Sequence, residues 1–269
     1  MPWIAGKIIW SIVLSCKNLV DQMIKVATYN IHKGYSQFNR RFVLHELRER
    51  LHDLNADIVF LQEVKGADRR SRPRHHFDGA HPQHEFLAGE SWLHHAYGKN
   101  SVYESGHHGN AILSRFPILK WDNQDISAHR FESRGLLHCE LQIPGTDKIL
   151  HSLCVHLGLF SRGRIQQMEE LVKRVNAIVP DDAPMIIAGD FNDWRNHAEE
   201  VMVQQLHVKE AFENSSGKLA RTYPCKLPLL RMDRIYVRGL HIRHAEVHAH
   251  APWSRISDHA ALTAGLALP

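Results

Sequence analysis

Acids, amides and histidines stand repeatedly at the margins of apolar runs in this chain, most densely in AGDFND at residues 188–193. The run MIIA stops at Gly189 and gives way at once to Asp190, Phe191, Asn192 and Asp193. In extended chain, residues two apart face the same way, which would set Asp190 beside Asn192 with Phe191 behind them. A simple turn accounts for the same residues, because Gly, Asp and Asn are turn formers. The pattern recurs, however. Asn30 follows VATY, Glu63 follows IVFLQ, His156 follows HSLCV, Asp233 precedes RIYV, and Asp258-His259 precedes AALTAGL. These types together suffice for metal-assisted attack of water on a phosphate ester. Glu63 is a hard oxygen ligand for Mg²⁺ or Mn²⁺, Asp190 can orient or deprotonate water, and Asn192, His156 and His259 can donate to phosphoryl oxygens.

Some members of the series have plainer readings. Asp233 could simply pair with its neighbours Arg231 or Arg234. Asn110, ahead of AILS, suits an ordinary turn as well as a substrate contact. His107, His108 and Arg134 suit solvated loops as well as phosphate contacts, so Asn110 and Arg134 stand only as candidate substrate-binding residues outside the catalytic core.

The elements that must hold these side chains are strands alternating with helices. Lys25–Tyr29 reads as a strand ending at Asn30, Arg41–Leu54 as a helix with apolar residues near helical spacing, and Asp57–Leu61 as a strand ending at Gln62-Glu63. Residues 65–108, rich in Arg, His, Pro and Gly, read as a long loop region carrying a strand or two. Ala111–Leu113, Leu136–Ile143, Ile149–Leu157 and Met185–Ala188 then read as strands, Arg164–Ile178 as a helix, and Arg234–Val237 and Ala260–Leu266 as closing strands. No internal repeat, low-complexity tract or linker interrupts them. One compact domain over 23–269 is the economical reading.

Composition allows this. A chain of 269 residues with 43% hydrophobic content can bury a large core, which excludes disordered and fibrous classes. The formal charge of +4 permits a polyanionic substrate but is far from that of a dedicated nucleic-acid wrapper. The four cysteines show no zinc-ligand spacing and are read as reduced thiols. Most of the 22 histidines read as solvated loop residues. Residues 1–22 read as an extension or short apolar segment, with Met23 a natural start. The apolar stretch from Trp3 to Cys16 falls short of the roughly 20 residues that span a bilayer, and it lacks a clear basic region or cleavage site. Cytoplasmic residence is the expectation, with membrane association through residues 3–16 as the alternative.

In its motifs the chain resembles the endonuclease/exonuclease/phosphatase superfamily. The matches are ATYNIHKG at 27–34, DIVFLQEV at 57–64, GNAILSRFPI at 109–118, CVHLGL at 154–159, AGDFND at 188–193, MDRIYV at 232–237 and SDHAAL at 257–262. They follow the family's order. The resemblance implies a four-layer α/β/β/α sandwich of two packed mixed sheets with outer helices. It implies Glu63 as the metal-binding glutamate, with Asn30 and Asp258 beside the metal, and Mg²⁺ or Mn²⁺ as cofactor. Asp190 matches the aspartate that activates water, Asn192 the asparagine that holds the phosphate, His259 the phosphate-contacting histidine and Asp233 the carboxylate that orients it. His156 matches a histidine of the deoxyribonuclease-like and sphingomyelinase-like branches that abasic-site enzymes replace.

The implied reaction is in-line hydrolysis of a phosphodiester. Substrate choice is less determined, since this family reads substrates through variable loops. DNA or RNA is the favoured partner, contacted through the basic flank Arg69, Arg70, Arg72 and Arg74. A phospholipid or another phosphoester is the alternative, using the apolar stretch LPLLR. A phosphate-binding module without catalysis is disfavoured, because no expected catalytic position is missing. Nothing in the sequence points to a protein partner, and a monomer is expected. Adjacent strand residues face opposite sides, so Asp258 and His259 can serve one cleft only from a loop or bulge ahead of AALTAGL.

Overall fold

The computed structural model describes residues 23–66, 81–103, 106–129 and 132–269. The apolar N-terminal stretch and the arginines at 69–74 lie outside them.

Two parallel strand pairs organise the molecule. β1 (Met23–Asn30) and β2 (Ile58–Lys65) flank helix α1 (Leu44–Leu54). Each strand buries both faces: Ile24, Val26, Ile58 and Phe60 point into a core between two sheets, while Ala27, Tyr29, Val59 and Leu61 pack under Leu44, Leu47, Leu51 and Leu54 of α1. Burial on both sides is why these strands read as mostly apolar runs rather than strictly alternating ones. The helix begins at Leu44 rather than Arg41, because residues 35–42 form an isolated bridge, Tyr35 to Phe42, ahead of it.

The second half repeats the device. β7 (Ile149–His156) and β8 (Met185–Asp190) run parallel and flank α3 (Ser161–Ile178), whose Met168, Leu171, Val172 and Val175 cover Leu153, Val155 and Ile187. Around these pairs lie α2 (Gln83–Ala88), β3 (His94–Tyr103), β4 (Gly106–Ser114), β5 (Ile118–Asp125), β6 (Gly135–Gln142), α4 (His197–Leu206), β9 (Lys209–Glu210), α5 (Ala211–Ser216), β10 (Asp233–Arg238), β11 (His241–His248) and β12 (Ala261–Ala267). One six-stranded sheet has the order β11-β12-β1-β2-β4-β3 and the other β5-β6-β7-β8-β10-β9. Their inner faces meet through Ile112, Leu137, Cys139, Leu150, Ile186, Ile235 and Leu262. The expected α/β/β/α sandwich is therefore the architecture. Cys139, Cys154 and Cys225 are free and buried, as read from the sequence. Among the described residues no helix is long and apolar enough to cross a membrane.

Outside the cleft, two buried histidines make stability depend on pH. His84, stacked on Tyr97 at 4.8 Å, is pushed down to about 3 by burial and by the nearby His95 and His107. His138, hydrogen-bonded to His151 at 2.9 Å, is pushed down to about 4 by burial, then by His151 and Lys120. Both are neutral in the fold between about pH 5 and 6, where the unfolded chain, with histidines near 6.5, takes up protons. Stability should therefore be insensitive to these groups above pH 6.5 and fall as the pH drops towards 4, each steepening the slope by up to about 1.4 kcal/mol per pH unit. Urea midpoints at pH 7, 6 and 5 would measure it, and His84→Phe with His138→Phe should flatten the slope relative to wild type.

Candidate active site

The parallel pairs bring Asn30, Glu63, His156 and Asp190 to one edge of the sandwich, because all four lie at or near the carboxyl ends of parallel neighbours. Asp233 enters at the same edge as the antiparallel partner of Asp190. The loop 257–260 precedes β12, which is antiparallel to β1, and so brings Asp258 and His259 beside Asn30. Ser257 Oγ fastens that loop by donating to Asn30 O at 2.8 Å. A cleft of ≈ 540 Å³ opens here. Asn30, Glu63, Arg134, His156, Asp190, Asn192, Asp258 and His259 line it, together with Lys33, His108 and an apolar wall that includes Leu159, Trp194 and Leu230.

Asp190 is the hub. Its Oδ2 accepts from Asn30 Nδ2 at 3.0 Å, and its Oδ1 accepts from the Asn192 backbone N–H at 2.9 Å. His156 Nε2 lies 3.5 Å and His259 Nε2 3.8 Å from Oδ2. Behind His259, Nδ1 bonds to Asp233 Oδ2 at 2.9 Å. The backbone bond from Asn192 shows that AGDFND is both turn and site. Asn192 has φ 51, so it has left the strand, and the side chains share a cleft through this Asx turn rather than through strand alternation. Phe191 is buried against Tyr236, as expected. Gly189 is required because a Cβ there would lie 2.0 Å from Val155 O of the adjoining strand.

Glu63 differs from its expected placement. β2 does not end at Gln62-Glu63 but runs to Lys65, with its register to β4 shifting between Leu61 and Val64. Glu63 occupies that bulge at φ 57, a conformation that costs a non-glycine residue roughly 1–3 kcal/mol. The bulge turns its carboxylate into the cleft. His32 and Lys33, at φ 45 and 58, add two more left-handed residues beside it.

The two cleft histidines differ in charge. His156 is pushed down to about 3, first by burial and then by the charge of Arg134, so its imidazole is neutral. For His259, burial alone would lower the pKa, but the carboxylates of Asp233 and Asp190 outweigh it and hold the ring protonated. Burial raises Asp190 above the usual carboxylate range, against the pull of His259. Burial also opposes ionisation of Glu63, yet neighbouring positive charge, Lys33 and protonated His259 among it, keeps it below its ordinary value.

A divalent cation fits the oxygen donors present. Glu63 Oε2 is buried without a hydrogen-bond donor, 3.6 Å from Lys33 Nζ, and Asp258 and Asn30 share the cleft. Hard oxygen ligands of this kind suit Mg²⁺ or Mn²⁺. Asp190, Asp233 and His259 also place ligand atoms within 4.8 Å of one another. They make a poor metal set, because protonated His259 donates one nitrogen to Asp233 and has no lone pair on the other.

Two expected residues lie off the cleft wall. Asp233 stands behind His259, bonded to its Nδ1 at 2.9 Å. Asn110 corrects the expectation of a substrate contact: its amide donates to Gly135 O at 3.1 Å and Cys154 O at 3.3 Å, tying the first sheet to the second beneath the site. Arg134 does line the cleft, steadied by Glu132 Oε1 at 3.2 Å. Lys33 was not anticipated, although it follows Asn30 by three positions in ATYNIHKG. Trp194 and Tyr223 were also missed, since only the folded loops carry them to the cleft.

A two-sheet sandwich with acids, amides and imidazoles gathered at one strand edge has the groups that phosphoester hydrolysis needs. The chain belongs to the Endonuclease/Exonuclease/phosphatase family, whose model matches residues 27–259. It is 46% identical to YbhP of Escherichia coli strain K12 over 245 residues, 91% of this chain and 96% of that one. The fold is shared with an endonuclease/exonuclease/phosphatase from Bacteroides vulgatus (TM-score 0.73, 19% identity, 93% of this chain and 100% of that one). It is also shared with mannosyl-6-phosphatase Bt3783 of Bacteroides thetaiotaomicron (TM-score 0.68, 15% identity, 91% of this chain and 100% of that one). Family membership makes the chain a metal-dependent hydrolase of phosphoester bonds.

Proposed function

We propose that the chain hydrolyses a phosphodiester by in-line attack of water in the cleft around Asp190. The observation that carries this reading is the state of that carboxylate. It is buried, held on both oxygens by Asn30 and Asn192, and set between a neutral and a protonated imidazole. A carboxylate raised by burial is suited to take a proton from water. Protonated His259, fixed by Asp233, offers its Nε2–H to a phosphoryl oxygen as negative charge builds. Neutral His156 and the remaining amide hydrogen of Asn192 complete the cradle, the other hydrogen being committed to Leu157 O at 2.8 Å. Arg134 and Lys33 supply fixed positive charge. Glu63, with Asn30 and Asp258, would hold a divalent cation, which when bound neutralises the phosphate and the developing charge on the leaving group.

For the substrate, mild basic charge supports DNA or RNA. A second reading, an amphiphilic phosphodiester, is favoured by a specific feature: Leu159, Trp194, Tyr223, Leu230 and Met232 line the same cleft as its cations. A panel in Mg²⁺, Mn²⁺ and EDTA tests the reaction and ranks the substrates: bis(p-nitrophenyl) phosphate, p-nitrophenyl phosphate, single- and double-stranded DNA, RNA and phospholipid vesicles. Diester turnover that EDTA abolishes is expected. Turnover of the monoester alone, or full turnover in chelator, would overturn the reading.

A further inference from the structure

Three loops widely separated in sequence meet at the apolar wall, and each carries an apolar tip next to a cation. Leu159 and Phe160, 54% and 74% exposed, precede Arg162; Trp194 precedes Arg195; and Leu227, Leu229 and Leu230 lie between Lys226 and Arg231. None of the three stretches 158–162, 194–195 and 223–231 contains an acid.

These tips are built, not loose. Arg164, 2% exposed, donates to Leu159 O at 2.8 Å and Gly158 O at 3.2 Å, faces Asp193 Oδ1 at 3.7 Å, and lies over the Trp194 ring at 5.2 Å. One buried guanidinium thus locks two of the loops together. The third is closed by backbone bonds: Leu227 N to Pro224 O at 3.0 Å, and Leu229 N and Leu230 N to Tyr223 O at 2.9 and 2.8 Å. Leu227 and Leu229 remain 63% and 56% exposed at its tip. Contiguous exposed aliphatic groups are costly in water and mark an interaction surface.

We propose that these three loops form a docking rim for an anionic phospholipid bilayer, which presents a headgroup phosphodiester to the cleft. The inference rests on the phosphodiester reading above for the last step only. Leucine and phenylalanine tips gain nothing from the hydrated backbone of a nucleic acid, whereas a bilayer offers hydrocarbon to the tips and anionic headgroups to the flanking Arg162, Arg195, Lys226 and Arg231. It also places a phosphodiester beside the apolar wall, next to which Lys33 and Arg134 face the cleft.

The test is co-sedimentation of the full chain with vesicles of phosphatidylcholine alone and of phosphatidylcholine with phosphatidylglycerol. Wild type should bind the anionic vesicles more strongly, less so in high salt. Leu227→Glu/Leu229→Glu should lose about tenfold or more of this binding, and Phe160→Ser, read separately should the pair misfold, should lose part of it. Turnover of soluble bis(p-nitrophenyl) phosphate should be unchanged in both, since none of these residues lines the cleft. Residues 1–22 are present throughout, so undiminished binding by the folded variants would overturn the proposal, as would wild type binding duplex DNA but no vesicles. Vesicle binding lost in the variants without any diester turnover would sink the hydrolytic reading and leave the docking rim standing.

Discussion

Asp190→Asn is expected to lower kcat on a phosphodiester by about a thousandfold, within the range lost when a positioned proton acceptor is removed. The substitution preserves shape but not chemistry. An amide cannot take a proton from water at neutral pH, and it offers one acceptor where the carboxylate offers two. One of the two bonds now made by Asn30 Nδ2 and the Asn192 N–H would therefore meet a donor, so some stability is lost, about 1–3 kcal/mol. Circular dichroism and a urea midpoint would separate that loss from catalysis. KM should change far less than kcat, because Lys33, Arg134 and His156 remain to hold the phosphate. A kcat within about tenfold of wild type would remove Asp190 from the role assigned to it.

Glu63→Gln is expected to cost about a hundredfold or more in activity and to uncouple the protein from its cation. A hundredfold corresponds to losing about 2.7 kcal/mol of charge stabilisation. The second has its own readout: Mg²⁺ or Mn²⁺ should raise the melting temperature of wild type by binding the folded state, and should do so much less for the variant. EDTA should abolish wild-type activity, and added Mg²⁺ or Mn²⁺ should restore it. The variant should fold, since Glu63 Oε2 has no hydrogen-bond donor to lose and its nearest cation, Lys33, is partly exposed. Equal metal-induced stabilisation of both proteins would place the cation elsewhere in the cleft.

Much of this architecture is legible from residue order. β1, β2, β7 and β8 bury both faces, so their sequences are largely apolar and end visibly at polar residues. Helices α1 and α3 bury one face and keep helical spacing, though α3 starts a turn earlier, at Ser161, than the apolar pattern suggests. The motifs carried by those strand ends also mark where chemistry would sit, and the family could be read from them.

The strands that escaped detection were those whose stability comes from partners. β5 and β11 are edge strands with mostly polar, partly exposed sequences, ILKWDNQD and HIRHAEVH, and only their ladders to β6 and β12 hold them extended. Polar sequence at a sheet edge also discourages pairing with other chains. The same dependence on partners governs the site. Glu63 faces the cleft because β4 pairs out of register with β2, and Asn110 is withdrawn from it because Gly135 and Cys154 of the opposite sheet claim its amide. His156 and His259 are the same residue type, yet one is neutral and the other charged. Only the second has Asp233 behind it, brought there from 26 positions away along the chain. Residue order therefore determines the strands, the helices and the kinds of groups at their ends, because those follow from local periodicity. Where each side chain points, what charge it carries and which loops meet at the cleft depend on contacts between distant segments, which form only when the two sheets close on one another.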